Sequence, residues 1–277
     1  MSAGPQTGAS AAGSVVSQTE PALRRAYWVG RSGLRWIAAG AYFFITCPLL
    51  ILLSIFVDPR KNDGPQRWMS RNIVRLAGAR FEARRSAGFD PHRTSFFVCN
   101  HVNLFDPFVL YSTVPQFIRG LELESHFRIP VYGWLMKRFG NVPVPDTSRP
   151  SDLKRMWRMT RAALDSGISI VVFPEGRRTV TGRVGGFHEG VFRMALQFGT
   201  PVVPVSITGS FEFNRKTSWM LRPSTIVVYL HDTIEAANLS KDGVSELRDR
   251  VWKAVATPIH GRLDAGTSAV KTPSGSA

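Results

Sequence analysis

The chain has 277 residues, 44% of them hydrophobic and 20% charged, with 35 Lys and Arg against 20 Asp and Glu, a formal net charge of +15. That apolar share excludes a wholly disordered chain, the length suits one large domain or two small ones, and two cysteines, Cys47 and Cys99, are too few for a disulfide framework. The charge excess implies an anionic partner: nucleic acid, an acidic lipid surface or a phosphorylated substrate.

Residues 1–23 are small and polar, without periodicity, and read as a disordered tail; residues 263–277 read the same way. The start lacks the basic and apolar regions of a signal peptide, so no cleavage is expected there. Residues 24–85 read as a membrane-anchoring segment. Within it, residues 36–57 (WIAAGAYFFITCPLLILLSIFV) form a run of 22 residues without a charge. As a helix it would reach roughly 33 Å, enough for a hydrocarbon core of about 30 Å. It also lacks the polar stripe of an ordinary surface helix, which predicts membrane embedding rather than burial in a core. Pro48 in its middle could divide it into two halves, so the run crosses once or turns back as a hairpin on one leaflet. Residues 21–85 carry twelve basic against three acidic side chains, on both flanks of the run. Basic residues favour the cytoplasmic side, and only a hairpin satisfies both flanks at once. Residues 65–77 place Arg67, Arg71 and Arg75 at i, i+4 and i+8, the pattern of a helix lying on anionic lipid or of an amphipathic helix docked on the domain.

From residue 86 to 262, β-rich runs (SFFVCN, FIRGL, NVPV, ISIVVFP, VVPVSIT, TIVVYL) alternate with helical patterns (DLKRMWRMTRAALDSG, EGVFRMALQFG, VSELRDRVWKAVA). The fold predicted is α/β: one mostly parallel sheet domain flanked by helices, behind an N-terminal membrane-embedded helical segment.

Two constellations follow predicted strands. SFFVC runs into Asn100-His101-Val102-Asn103-Leu104-Phe105-Asp106-Pro107. On a continuous helix His101 and Asp106 would point about 140° apart, so the carboxylate reaches the imidazole only if the loop folds back. If it does, Asp106 keeps one ring nitrogen protonated and leaves the other as a base; otherwise Asp106 is a helix cap and His101 a structural residue. After ISIVVF comes Phe173-Pro174-Glu175-Gly176-Arg177-Arg178-Thr179, a turn whose guanidiniums suit phosphate oxygens and whose bland alternative is a solvated basic loop. Glu175 fits beside a phosphate only if an Arg neutralises it or it bonds a substrate hydroxyl. Cys99, at the inner end of an apolar strand, reads as a core thiol. His92, His126, His188, His231 and His260 lack metal-ligand spacing, so no metal is expected. No Walker loop, Gly-x-Gly-x-x-Gly or Gly-x-Ser-x-Gly motif occurs.

Asn-His-x4-Asp followed about seventy residues later by Phe-Pro-Glu-Gly-x-Arg-Thr resembles the glycerolipid acyltransferases, especially the 1-acylglycerol-3-phosphate acyltransferases. The resemblance runs from Phe96 to Thr208 and takes in IPVYGWLMKRFGNVPV, Gly186-Phe187-His188-Glu189-Gly190 and Val203-Pro204-Val205. It departs where such proteins carry a Lys and an Arg near positions here held by Leu123 and Asp146, with Arg128 and Arg149 the nearest substitutes, and at Arg177, where small polar residues are common. The resemblance implies acyl transfer from a thioester to a lysophospholipid, 1-acylglycerol-3-phosphate first, giving phosphatidic acid. His101 would be the base and Asp106 its partner, and Glu175, Gly176, Arg177, Arg178 and Thr179 would bind the acceptor. Acyl-CoA or acyl carrier protein would be co-substrate, with no resident cofactor. Alternatives are another acceptor (lyso-ornithine lipid, glycerol 3-phosphate or another lysolipid) or a lipid-binding protein without catalysis. The charge bracketing the apolar run argues for anionic lipid over nucleic acid, and for a cell-membrane protein with its domain on the cytoplasmic face.

Overall fold

The computed structural model describes residues 22–59, 61–147, 149–237 and 243–271, with side chains to residue 265. Of the predicted N-terminal tail only Ala22 and Leu23 are described, as the start of the first helix; of the predicted C-terminal tail residues 263–271 continue the last helix, and residues 272–277 lie outside the described residues.

The helices are α1 (Ala22–Leu53), α2 (Gly64–Leu76), α3 (Asp106–Thr113), α4 (Tyr132–Arg138), α5 (Pro150–Asp165), α6 (Gly190–Phe198), α7 (Ser210–Phe213) and α8 (Val244–Lys271). The strands are β1 (Arg80–Arg85), β2 (Phe96–Cys99), β3 (Ile118–Leu123), β4 (Val142–Val144), β5 (Ser169–Val172), β6 (Val202–Thr208) and β7 (Thr225–Leu230). They form one sheet in the order β1-β7-β6-β2-β5-β3-β4, parallel except for the β6–β7 pair. The central strands are apolar on both faces because both faces are covered. Phe97 and Cys99 of β2 enter a core built with Met69, Ile73, Val109 and Leu110, while Phe96 and Val98 enter the opposite core with Phe192, Leu247, Val251 and Val255.

β1 was not among the predicted strands and falls on the anchor side of the boundary drawn at residue 85. Its sequence, RFEARR, has no apolar alternation because it is an edge strand with largely exposed side chains.

α1 is one helix through Pro48, so the apolar run does not turn back on itself. The loss of a single backbone bond at Pro48 is tolerated because the helix is braced sideways along the domain. Ser32 Oγ accepts the Leu221 N–H (3.0 Å), Trp36 Nε1 donates to the Trp219 carbonyl (2.6 Å), and Arg138 Nε donates to Ser54 Oγ just beyond the helix (2.8 Å). Phe43 meets Phe108, and Cys47 lies 3.8 Å from the Met69 sulfur. Ser32, Ala39, Thr46, Cys47 and Leu50 are buried along one side, the first three of them two turns apart, while Leu34, Ile37, Phe44, Ile45, Leu49 and Leu52 are exposed. Two apolar faces, one docked and one bare, explain the missing polar stripe.

α2 docks as an amphipathic helix, burying Met69, Ile73 and Val74. Arg67 is not part of a lipid-facing row: it binds Asp63 (2.7 Å) and turns inward to the carbonyls of Tyr111, Val114, Pro115 and Gln116, just where α3 leaves its last carbonyls unpaired. Fully buried Arg119 donates to the carbonyls of Pro59, Ile118 and Phe139, tying the α1–α2 connection to β3.

Candidate active site

The site lies beyond the carboxyl ends of β2 and β5, where parallel sheets leave a crevice between loops. Where β2 ends, the Asn100 side chain continues the ladder to β6: Oδ1 accepts the Ile207 N–H (2.7 Å) and Nδ2 donates to the Ile207 carbonyl (3.0 Å). The next residue, His101, is thereby set at the rim of the sheet.

The loop from His101 to Asp106 folds back around the Asp106 carboxylate. Oδ2 accepts the N–H groups of Val102 (2.6 Å) and Asn103 (2.8 Å) and meets His101 Nδ1 at 2.9 Å; Oδ1 accepts the Ser210 hydroxyl (2.9 Å). Asn103 fastens the same loop, accepting the Phe105 N–H and donating to the Ser210 carbonyl. Asp106 opens α3 but does not cap it, because its oxygens are spent on the preceding loop and the histidine. Four hydrogen-bond contacts on a fully buried carboxylate hold it in one orientation and fix the ring. With Nδ1 turned to that carboxylate, Nε2 is the ring nitrogen left without a hydrogen-bond partner among the described residues. The His101 side chain remains 20% exposed, stacked on Phe173 with ring centroids 4.2 Å apart.

The turn after β5 is bonded to this loop. Glu175 Oε1 accepts the His101 N–H (2.8 Å), Glu175 Oε2 accepts the Gly185 N–H (2.9 Å), and the His101 carbonyl accepts the Thr179 N–H (2.9 Å). Both Glu175 oxygens therefore face backbone inside the protein, and burial pushes its carboxyl above its ordinary value despite those bonds. Gly176 has φ +68°, and a Cβ there would lie 3.3 Å from the His188 ring, so the turn requires glycine. Arg177 is exposed and Arg178 half-buried, and neither guanidinium has a carboxylate partner among the described residues.

Sequence reasoning did not single out Ser210, Gly185 or Lys216, and it named Phe173 only as the start of the turn motif, not as the ring under His101. Ser210 and Gly185 carry no motif, and their roles arise from chain segments meeting in space. Lys216 Nζ lies 3.5 Å from the Arg178 carbonyl, adding a cation to the turn, and the Arg215 guanidinium lies over the Phe211 ring. Leu123 ends β3, while Arg128 and Arg149 are both exposed. Cys99 is fully buried, and burial pushes its thiol well above its ordinary value, helped by the nearby Asp106 charge. Among the described residues no group of three or more His, Cys, Asp or Glu is arranged to hold a metal ion.

The fold is that of a crystal structure of the 1-acyl-sn-glycerophosphate acyltransferase from Thermotoga maritima, with a TM-score of 0.68 at 21% identity over 86% of this chain and 98% of that one. A 1-acyl-sn-glycerol-3-phosphate acyltransferase of Pseudomonas aeruginosa is 26% identical over 203 residues, 71% of this chain and 76% of the relative. A coconut (Cocos nucifera) protein of the same name is 25% identical over 178 residues, 64% of this chain and 55% of the relative. The chain spans about half the length of the coconut and algal relatives that it matches. Residues 66–208, more than half of the sequence, match the Acyltransferase family model, and the chain belongs to that family.

Proposed function

We propose that this chain is a membrane-bound acyltransferase that moves a fatty acyl group from a thioester, acyl-CoA or acyl carrier protein, to the hydroxyl of 1-acylglycerol-3-phosphate, forming phosphatidic acid. The observation that carries this reading is the His101–Asp106 pair bonded directly to the unpaired basic turn at Arg177 and Arg178. A base without such a turn has no anionic acceptor to orient, and such a turn alone has no need of a base. The names of the relatives support the same acceptor.

In this mechanism Arg178, with Arg177 and Lys216, holds the acceptor phosphate and sets its hydroxyl before His101. Nε2 takes the hydroxyl proton as the oxygen attacks the thioester carbonyl. The C–O bond forms, the C–S bond breaks, and the thiolate leaves and takes up a proton from the imidazolium. Asp106 stabilises that imidazolium and holds the tautomer. Glu175 acts one step back, fixing the His101 backbone against the turn, and Thr179 does so through its N–H.

The bare apolar face of α1 supports attachment to one leaflet of the cell membrane, with the basic domain at its cytoplasmic surface. Among the described residues α1 alone is long and apolar enough to cross a membrane, but its docking along the domain favours a helix lying in the leaflet.

The test is a product analysis with labelled acyl-CoA and acyl carrier protein, each offered with 1-acylglycerol-3-phosphate, glycerol 3-phosphate, lyso-ornithine lipid and other lysolipids. Labelled phosphatidic acid is expected. Labelling of a different acceptor moves the specificity, and no labelling at all removes the catalytic reading.

A further inference from the structure

With Arg67 turned inward, two members of the arginine row remain on the exposed side of α2. Arg71 and Arg75 stand one turn apart, and Arg80 opens β1 beside them. All three line one cavity of about 440 Å³ between α2, β1 and the end of α3. Its single carboxylate, Glu82, is occupied by Arg84 through bonds of 3.0 and 2.6 Å. Arg71, Arg75 and Arg80 have no carboxylate partner among the described residues. The strand contributes donors of its own. β1 is an edge strand, and the N–H groups of Arg80 and Ser86 bond to Ser224 and Leu230 on the β7 side. Alternate residues of a parallel ladder face opposite ways, so the N–H groups of Phe81 and Ala83, both lining the cavity, face the open edge.

We propose that this cavity is a phosphate site separate from the Arg178 turn, and that it takes the phosphate of an anionic phospholipid headgroup. Three planar donor forks without a counterion, beside free strand amides, match the oxygens of a phosphate. A lipid is the source because α2 packs on α1 and itself exposes Trp68 and Leu76, so the cavity opens beside the apolar surface rather than away from it. The proposal rests on the membrane reading of α1, and each has its own readout.

The experiment measures binding of the purified full-length protein to vesicles of phosphatidylcholine alone and of phosphatidylcholine mixed with phosphatidylglycerol. The wild type should bind both and prefer the anionic vesicles. Arg71→Ala/Arg75→Ala/Arg80→Ala should lose that preference by about a hundredfold, near fivefold for each arginine, while holding neutral vesicles as before. That retained binding reports an intact fold. Should the triple variant misfold, Arg75→Ala alone should lose about fivefold. A control, Lys154→Ala/Arg158→Ala/Lys253→Ala, removes equal charge from α5 and α8 and should keep the preference. Equal losses in the two triple variants, or no loss in the first, overturn the proposal. So does displacement from anionic vesicles by millimolar inorganic phosphate beyond that caused by chloride of equal ionic strength, which would assign the cavity to free phosphate. A wild type that ignores neutral vesicles defeats the membrane reading itself.

Discussion

Glu175 Oε1 accepts the backbone N–H of His101 at 2.8 Å. Residues 74 positions apart are thus joined at the point where chemistry is expected, and the second Glu175 oxygen reaches on to Gly185. The carboxylate works as an internal brace between the loop that carries the base and the turn that carries the cations.

This brace predicts the behaviour of Glu175→Gln. Only one amide oxygen can replace two acceptors, so an N–H loses its partner and stability should fall by about 1–3 kcal/mol. Turnover should fall with it while the acceptor KM moves little. A large KM change with unchanged turnover would make Glu175 a substrate ligand.

The same residue predicts a pH dependence. Burial raises its folded pKa above the ordinary 4.5. Its contribution is therefore fully present below the unfolded value and is lost as pH rises through the higher folded value. The Tm difference between wild type and Glu175→Gln, measured in detergent, should be largest near pH 4 and shift against the wild type as pH rises through the raised folded value.

His101→Ala should reduce turnover by at least about a hundredfold, the lower range for a positioned general base. Asp106→Asn should cost on the order of a hundredfold as well, since an amide can hold the wrong tautomer. Ser210→Ala leaves the other Asp106 contacts in place and should cost less, near tenfold, as expected for one hydrogen bond to a charged group. Single-turnover rates at saturating substrates measure all three, and full activity in His101→Ala refutes the mechanism.

Arg178→Ala should raise the acceptor KM by roughly tenfold to a few hundredfold, with Arg178→Lys recovering part of it. Lys216→Ala should raise it less, and the donor KM should hardly move. An acceptor KM indifferent to Arg178, Arg177 and Lys216 together would send the phosphate elsewhere.

Cys99→Ser should retain most activity, and iodoacetamide should not inactivate the enzyme at pH 8. The buried thiol, pushed well above its ordinary pKa, is neither accessible nor ionised. Rapid inactivation protected by acyl donor would instead point to an acyl-cysteine.

Much of this was legible from residue types. β2, β5, β6 and β7 announce themselves as Val-, Ile- and Phe-rich runs because both faces of the sheet are covered. β1 does not, since an edge strand bearing four exposed charged side chains carries no apolar period. His101 and Asp106 stand out by their positions after a strand, whereas the fold-back that unites them depends on two backbone N–H groups no side-chain pattern reveals. Arg67 shows the limit most sharply: by spacing it belongs with Arg71 and Arg75, and only the end of α3 explains why it leaves them.

The bracing of α1 has a consequence for substrate choice. Ser32 and Trp36 are bonded to the 219–221 segment, and Trp36 packs on Phe105, next to Asp106. If α1 lies in the leaflet as proposed, the imidazole is held at a set altitude above the lipid tails, as a cutting head is held on its rail. An acceptor must lift its hydroxyl to that height while its chain stays in the leaflet. Lysolipids with a longer or shorter spacer between chain and hydroxyl would be discriminated by elevation, before any contact with the headgroup is made.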